Sequence, residues 1–307
     1  MAWSVENMPD LGGKVALVTG ANSGLGYQTT YQLAKNHAHV VMACRTKSKA
    51  DQAIAQIKQS IPDADLSFIP LDLADLASVK AFAEEFKSSF DKLDILVNNA
   101  GIGSIPFLTT KDGIEMNFGT NHIGHFALTI QLFDCLINAP NARVVNVSSE
   151  FNRLGNDQFD DINYEKSSYN KWKAYGRSKL ANALFTLELN RRLQLKGSKT
   201  IAITCHPGYS STNLQTRGYE MENANLMISL TNAFNSLVAQ SDVDGALPSL
   251  YAATGNDISA GDYIGPRIFR WRGKPVKQKA CKAAYNTALA QKLWNLSEKL
   301  TGLKSSI

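Results

Sequence analysis

The sequence predicts a single Rossmann-like doubly wound α/β domain, with a mainly parallel seven-stranded sheet and helices on both faces. Three observations lead there. Short apolar, β-branched runs alternate along the chain with stretches of helical length, the pattern of successive βαβ units. The first run, Lys14–Thr19, passes through a glycine-rich turn straight into a helical stretch. The 307 residues are 44% hydrophobic, enough for one large core, and no repeat, low-complexity tract or linker divides them. Residues 1–13 are read as a lead-in, 14–265 as the core, and 266–307 as a C-terminal extension that includes a helix.

In chain order the expected strands are Lys14–Thr19, His39–Ala43, Leu66–Ile69, Ile95–Asn98, Ala142–Val147, Thr200–Cys205 and Asp262–Ile264. The first is too short and too β-branched for a helix and reads as a buried parallel strand. The expected helices are Leu25–Ala34, the amphipathic Lys47–Gln59, Leu76–Phe90 with Asp75 as its cap, Gly113–Ile137, Tyr175–Leu195 and Ala284–Leu300. The Tyr175–Leu195 stretch carries an apolar stripe of Leu180, Leu184, Leu187 and Leu193.

A net charge of +5 is mildly basic. No basic helix with interleaved aromatics accompanies it, so nucleic-acid binding is not expected. The four cysteines, Cys44, Cys135, Cys205 and Cys281, are scattered without metal or disulfide spacing. With no signal-like N-terminus and no run of about 18 apolar residues, the expectation is a cytoplasmic protein in a reducing compartment.

Several segments carry chemistry. Gly20, Gly24 and Gly26, with Asn22, Ser23 and Leu25 in the same turn, form a loop in which a pyrophosphate can approach backbone N–H groups at a helix N-terminus. The second strand ends in Cys44 and Arg45 where an acidic residue would bind a ribose 2′-hydroxyl. A guanidinium there suits a 2′-phosphate, and hence NADP(H), with Lys49 a weaker candidate. Asp72 stands at the end of the third strand, where a carboxylate can accept from an adenine amino group. Asn98-Asn99-Ala100-Gly101 ends the fourth strand, its small residues leaving room for a ribose and its Asn side chains bracing the sheet. Asn121 is a poor helix former inside an expected helix. His122 and His125 beside it have no carboxylate or third histidine nearby, so no metal is expected. Ser148 and Ser149 end the fifth strand, at the edge where ligands bind in such sheets. Tyr175 and Lys179 share one helix face, where an ammonium is expected to lower the phenol pKa.

Thr19-Gly20-x-x-x-Gly24-x-Gly26, Asn98-Asn-Ala-Gly101, the strand-end serine and Tyr175-x-x-x-Lys179, in this order, resemble the short-chain dehydrogenase/reductase family over nearly all of 14–265. His39-Val-Val-Met-Ala-Cys-Arg45, Asn121-His-Ile-Gly-His125 and Tyr175-Gly-Arg-Ser-Lys-Leu-Ala-Asn182 are most similar to the retinol dehydrogenase, WW-domain oxidoreductase and light-dependent protochlorophyllide reductase branch. The resemblance implies the strand order 3-2-1-4-5-6-7 and hydride transfer between NADP(H) and a carbonyl or alcohol. It implies that Ser149 polarises the substrate oxygen, Tyr175 transfers the proton, Lys179 lowers the tyrosine pKa and holds the nicotinamide ribose, and Asn121 completes a proton relay through water. Asp72 and the Leu73 N–H would hold the adenine, and Pro207, Gly208 and Thr212 would close on the cofactor. Two other readings stay open: a light-driven ring reductase, and an NADP(H)-sensing regulator without turnover.

Around that centre, Phe151–Ala174 is an insertion, with 26 positions separating Ser149 from Tyr175, and reads equally as a flap at the substrate mouth or an inert loop. Thr212–Gln240, carrying Leu214, Tyr219, Met221, Leu226, Met227, Leu230, Phe234 and Leu237, is expected to cover a bulky hydrophobic substrate. Phe269 and Trp271 are candidates for a pocket wall. The basic run from Arg270 to Lys282 reads first as solvated and second as a peripheral membrane contact. Relatives often pair through the helices at Gly113–Ile137 and Tyr175–Leu195, so monomer and homodimer are both open.

Overall fold

The computed structural model describes residues 3–155, 159–209, 221–222, 224, 228 and 239–305. Its eight strands are β1 (Val15–Thr19), β2 (His39–Cys44), β3 (Leu66–Pro70), β4 (Ile95–Asn98), β5 (Arg143–Val147), β6 (Ile201–Cys205), β7 (Tyr263–Ile268) and β8 (Arg272–Gln278). They form one sheet in the order 3-2-1-4-5-6-7-8. Neighbours from β3 to β7 are parallel, and β8 runs antiparallel to β7. The eighth strand corrects the expected seven. It is an edge strand rich in cations and carrying Pro275, so it lacks the apolar alternation by which strands are recognised.

Parallel strands need crossovers, and these are helices: α1 (Gly24–Lys35), α2 (Lys47–Ser60), α3 (Leu76–Ser89), α4 (Met116–Phe118), α5 (Gly124–Gln131), α6 (Phe133–Asn138), α7 (Lys171–Leu195), α8 (Asp242–Thr254) and α9 (Thr287–Thr301). Because both faces are covered, successive residues of β1 enter different cores. Leu17 joins Val41, Leu96, Phe82 and Phe126 on one side, while Ala16 and Val18 join Met42, Val97, Leu33 and Leu250 on the other. Asp75 caps α3 as expected, accepting from the Ala77 and Ser78 N–H groups.

Three helices differ from expectation. The stretch Gly113–Ile137 is not one helix: α4 leads through a π-helical turn, Gly119–Ile123, into α5, and a break at Leu132 precedes α6. The Asn121 side chain brackets the Ile102 peptide, accepting from its N–H at 2.9 Å and donating to its carbonyl at 2.8 Å, which holds the wider turn in place. Helix α7 begins at Lys171 rather than Tyr175, because Asn170 caps it through the Trp172 and Lys173 N–H groups. The terminal helix instead starts later than expected, at Thr287 behind the Asn286 cap.

The lead-in and the extension are parts of the same body. Trp3 packs on Tyr251 of α8 with ring centroids 5.2 Å apart. Helix α9 lies against α7, its buried Trp294 set between Phe126, Phe185 and the Arg192 guanidinium. No helix among the described residues is long and apolar enough to cross a membrane.

Candidate active site

The sheet register brings the carboxyl ends of β1, β2, β4, β5 and β6 to one edge: Thr19 pairs with Ala43, Asn98 with Asn146, and Val147 with Cys205. At this edge the chain turns from β1 into α1. Gly24 has a φ of +53°, which a residue with a side chain rarely adopts. A Cβ at Gly26 would lie 2.2 Å from the Gly20 carbonyl oxygen and 2.6 Å from Asn99 Nδ2. The first turn of α1 has no acidic residue, and Ser23 makes no side-chain cap bond. Its N–H groups and the positive end of its dipole are therefore available to an anion. Asn22 and Leu25 are half-buried and Ser23 exposed in the same turn. This cradle fits a dinucleotide pyrophosphate.

Further along the edge, Arg45 is exposed just beyond β2, and no carboxylate pairs with it among the described residues. Lys49 is exposed one turn later. Asp72 is half-buried after β3 and uses one carboxylate oxygen to accept from the Ala74 N–H at 3.0 Å, so its other oxygen is left for a ligand. Leu73 is buried beside it.

The Asn-Asn-Ala-Gly turn divides its labour. Asn98 is buried within the sheet, donating to Asn146 Oδ1 at 2.8 Å and Thr129 Oγ1 at 3.1 Å. Its side chain braces the sheet. Asn99 ties the turn to β1 through the Thr19 carbonyl, at 2.8 Å. The N–H groups of Asn99 and Ala100 both donate to Thr19 Oγ1, each at 2.9 Å. Gly101 is exposed beside Asn121 and Lys179: a Cβ there would lie 3.3 Å from Asn121 Oδ1 and 3.4 Å from Lys179 Nζ.

Thr19 has a further partner that sequence patterning gives no sign of. His125 Nε2 stands 2.9 Å from Thr19 Oγ1, and His125 Nδ1 stands 2.9 Å from the Asn121 carbonyl oxygen. A carbonyl only accepts, so the partners assign the proton to Nδ1, and Nε2 accepts the Thr19 hydroxyl. Burial pushes the His125 pKa down to about 4, which keeps the ring in this neutral form. His122 is also buried and held near 3; its Nε2 bonds Ser297 of α9 at 2.9 Å. The two histidines are structural bonds to different elements, and no metal-binding cluster occurs among the described residues.

Ser149, Tyr175, Lys179 and Asn121 converge. The Ser149 hydroxyl accepts from the Phe151 N–H at 3.2 Å and draws the Tyr175 pKa down. Ser148 instead points inward, donating to the Lys179 carbonyl at 2.8 Å. Lys179 Nζ donates to the Val147 carbonyl at 3.0 Å and lies 5.8 Å from the centre of the Tyr175 ring. Asn121 donates to Ser178 Oγ at 2.9 Å, so the π turn is joined to α7 between Tyr175 and Lys179.

The electrostatics differ from expectation in one respect. Burial pushes the Tyr175 pKa up to about 12, with the Ser149 hydroxyl opposing it. Lys179, 5.8 Å from the centre of the ring, is itself buried and its own pKa falls to about 8. At neutral pH the site therefore holds a protonated phenol and a lysine close to its titration point.

The insertion contributes the adjoining wall. Phe151 stacks on Trp172 at 5.5 Å and meets the Tyr175 ring edge-on at 5.8 Å. The rest of it is latched down. Glu115, fully buried, accepts from the Asn117 and Phe118 N–H groups and from the Tyr169 hydroxyl at 3.2 Å. Arg177 donates to the carbonyls of Asp161 and Ile162 at 2.9 and 2.6 Å. On the other side Pro207 and Gly208 follow β6, with the Trp271 carbonyl only 2.3 Å from where a Gly208 Cβ would stand. Thr212, and the expected cover apart from Met221, Glu222, Ala224, Ile228, Ala239 and Gln240, lie outside the described residues. Phe269 is 89% exposed at the tip of the β7–β8 hairpin.

Residues 14–223 match the short chain dehydrogenase family. Human retinol dehydrogenase 14 is 38% identical over 304 residues, covering 95% of this chain and 87% of that protein. Human retinol dehydrogenase 12 is 38% identical over 297 residues, covering 96% and 88%. A crystal structure of an uncharacterised protein from Mycobacterium paratuberculosis has a TM-score of 0.82 at 37% identity, covering 100% of both chains. A short chain dehydrogenase/reductase from Burkholderia phymatum, solved in complex with NAD, shares the fold with a TM-score of 0.62 at 21% identity, covering 80% of this chain and 87% of that one. The chain thus belongs to the short-chain dehydrogenase/reductase family, on its retinol dehydrogenase-like branch, and is an oxidoreductase that uses a nicotinamide cofactor.

Proposed function

We propose that this protein reduces the carbonyl of a bulky hydrophobic substrate, of retinoid, steroid or aromatic type, with NADPH. The observation that carries this reading is the cluster of Ser149, Tyr175 and a buried Lys179, with Lys179 Nζ 5.8 Å from the centre of the Tyr175 ring. The cofactor supplies hydride to the carbonyl carbon. Ser149 donates to the carbonyl oxygen and fixes its position. Tyr175 gives that oxygen its proton, and a phenol held near pKa 12 is fully protonated for the task at neutral pH. Lys179 and Asn121 stand behind the phenol, placed to return the proton through water and to bind the nicotinamide ribose. The preference for NADPH rests on Arg45, exposed and without a carboxylate partner at the end of β2. The substrate class is supported by the Phe151–Trp172 wall beside Tyr175 and by the names of the retinol dehydrogenase relatives.

Calorimetric titration tests the cofactor assignment. Wild type is expected to bind NADPH at least tenfold more tightly than NADH, and Arg45→Ala to lose most of that preference, about 1.5–3 kcal/mol for a charged hydrogen-bonding partner. Equal binding of the two by wild type contradicts the 2′-phosphate site.

A further inference from the structure

We propose that the β7–β8 hairpin tip is a docking site for an anionic lipid surface. The tip is a tight turn in which the Trp271 N–H donates to the Ile268 carbonyl at 2.9 Å. Its two central residues, Phe269 and Arg270, have φ of +48° and +64°. Such a turn ordinarily takes Asn-Gly, because side-chain-bearing residues are strained there. This chain instead places a phenylalanine at the apex, 89% exposed, flanked by Ile268 and Trp271, each 48% exposed. Strain spent on projecting an apolar ring into solvent serves packing nowhere in the fold.

The hairpin and the segment that follows it carry formal charge of one sign in the sequence. No acidic residue occurs between Asp262 and Glu298. Arg267, Arg272, Lys274 and Lys279 are exposed, and no carboxylate pairs with them among the described residues. Arg270 folds back onto Glu150 at 3.3 Å, so the apex itself presents the apolar ring with cations set behind it. This layering matches a bilayer boundary, with aromatic rings at the acyl edge and Lys or Arg at the phosphates. A narrow convex tip fits a deformable lipid surface better than the flat face of a protein partner. Trp271 also stacks on Tyr209 at 5.7 Å and receives the Tyr209 N–H on its carbonyl at 2.9 Å. Tyr209 directly follows Pro207–Gly208, so docking sets the rim of the candidate active site against lipid.

The test is cosedimentation of the full-length protein with vesicles of phosphatidylcholine alone or with about 30% phosphatidylserine. Wild type is expected to bind the mixed vesicles at least tenfold more strongly than the neutral ones, and less at high salt. Phe269→Asn, which suits a positive φ, should keep or raise the melting temperature while lowering partition about tenfold; Phe269→Trp should retain it. Equal partition into both vesicles overturns the proposal. Phe269→Asn partition equal to wild type also overturns it, since adsorption would then follow basic charge alone. None of these readouts needs turnover, so they stand or fall separately from the enzymatic reading.

Discussion

Lys179 sets the most exacting terms among the residues. Its pKa falls from 10.5 to about 8 because the ammonium is buried. A base whose folded pKa lies below its unfolded one binds fewer protons when folded, so its burial costs stability wherever the unfolded chain is charged. The cost is complete below pH 8 and fades as pH rises from 8 towards 10.5. Lys179→Met is therefore expected to stabilise the protein by about 2 kcal/mol at pH 7 in denaturant titrations, with the gain shrinking at pH 10 and turnover lost. His125 has the opposite character. It contributes no charge, and it joins the Thr19 hydroxyl of the cofactor turn to the Asn121 carbonyl of the π turn. His125→Phe leaves both without that partner. We expect kcat to fall about tenfold or more, with His125→Gln recovering part of the loss. The wild-type pH profile should show no His125 titration above pH 5, since burial holds the ring near pKa 4.

At the scale of elements, legibility followed burial pattern. Strands covered on both faces, such as β1 and β4, are continuous apolar runs and are recognisable in the sequence almost to the residue. The motif residues were recognisable for a related reason: each ends a strand or opens a helix, where the local chemistry admits few residue types. Ser149 and Tyr175 meet because β5 and α7 put them at one edge, and their order in the chain already implied as much. Three features were not legible. The π turn at Gly119–Ile123 exists because the Asn121 side chain bonds the backbone of Ile102, a contact 19 positions away in sequence. The Glu115–Tyr169 latch depends on a partner 54 positions distant. Strand β8 is an edge with alternating cations, and its register comes from β7 rather than from its own apolar pattern. The sign of the Tyr175 shift was also hidden. Spacing puts an ammonium near the phenol, while burial of both groups, a tertiary property, decides which effect prevails.

For the whole molecule, the C-terminal extension closes the body. Helix α9 packs on α7, and its Trp294 is buried against Phe126 and Phe185. These are the helices through which relatives were expected to pair, and here the chain's own terminus occupies their outer face. Light scattering coupled to gel filtration should give a monomer of 33.5 kDa; a dimer would mean that α9 adds an interface in place of the one it covers. The most direct measurement of the central claim is NADPH consumption by wild type and Tyr175→Phe over a panel of bulky apolar aldehydes and ketones, retinaldehyde among them. Wild type should turn over at least one of them. Tyr175→Phe should be slower by a factor of about 10² or more while binding NADPH with an affinity close to wild type. Turnover in Tyr175→Phe at the wild-type rate, or no turnover of any carbonyl by wild type with NADPH bound, would contradict the account.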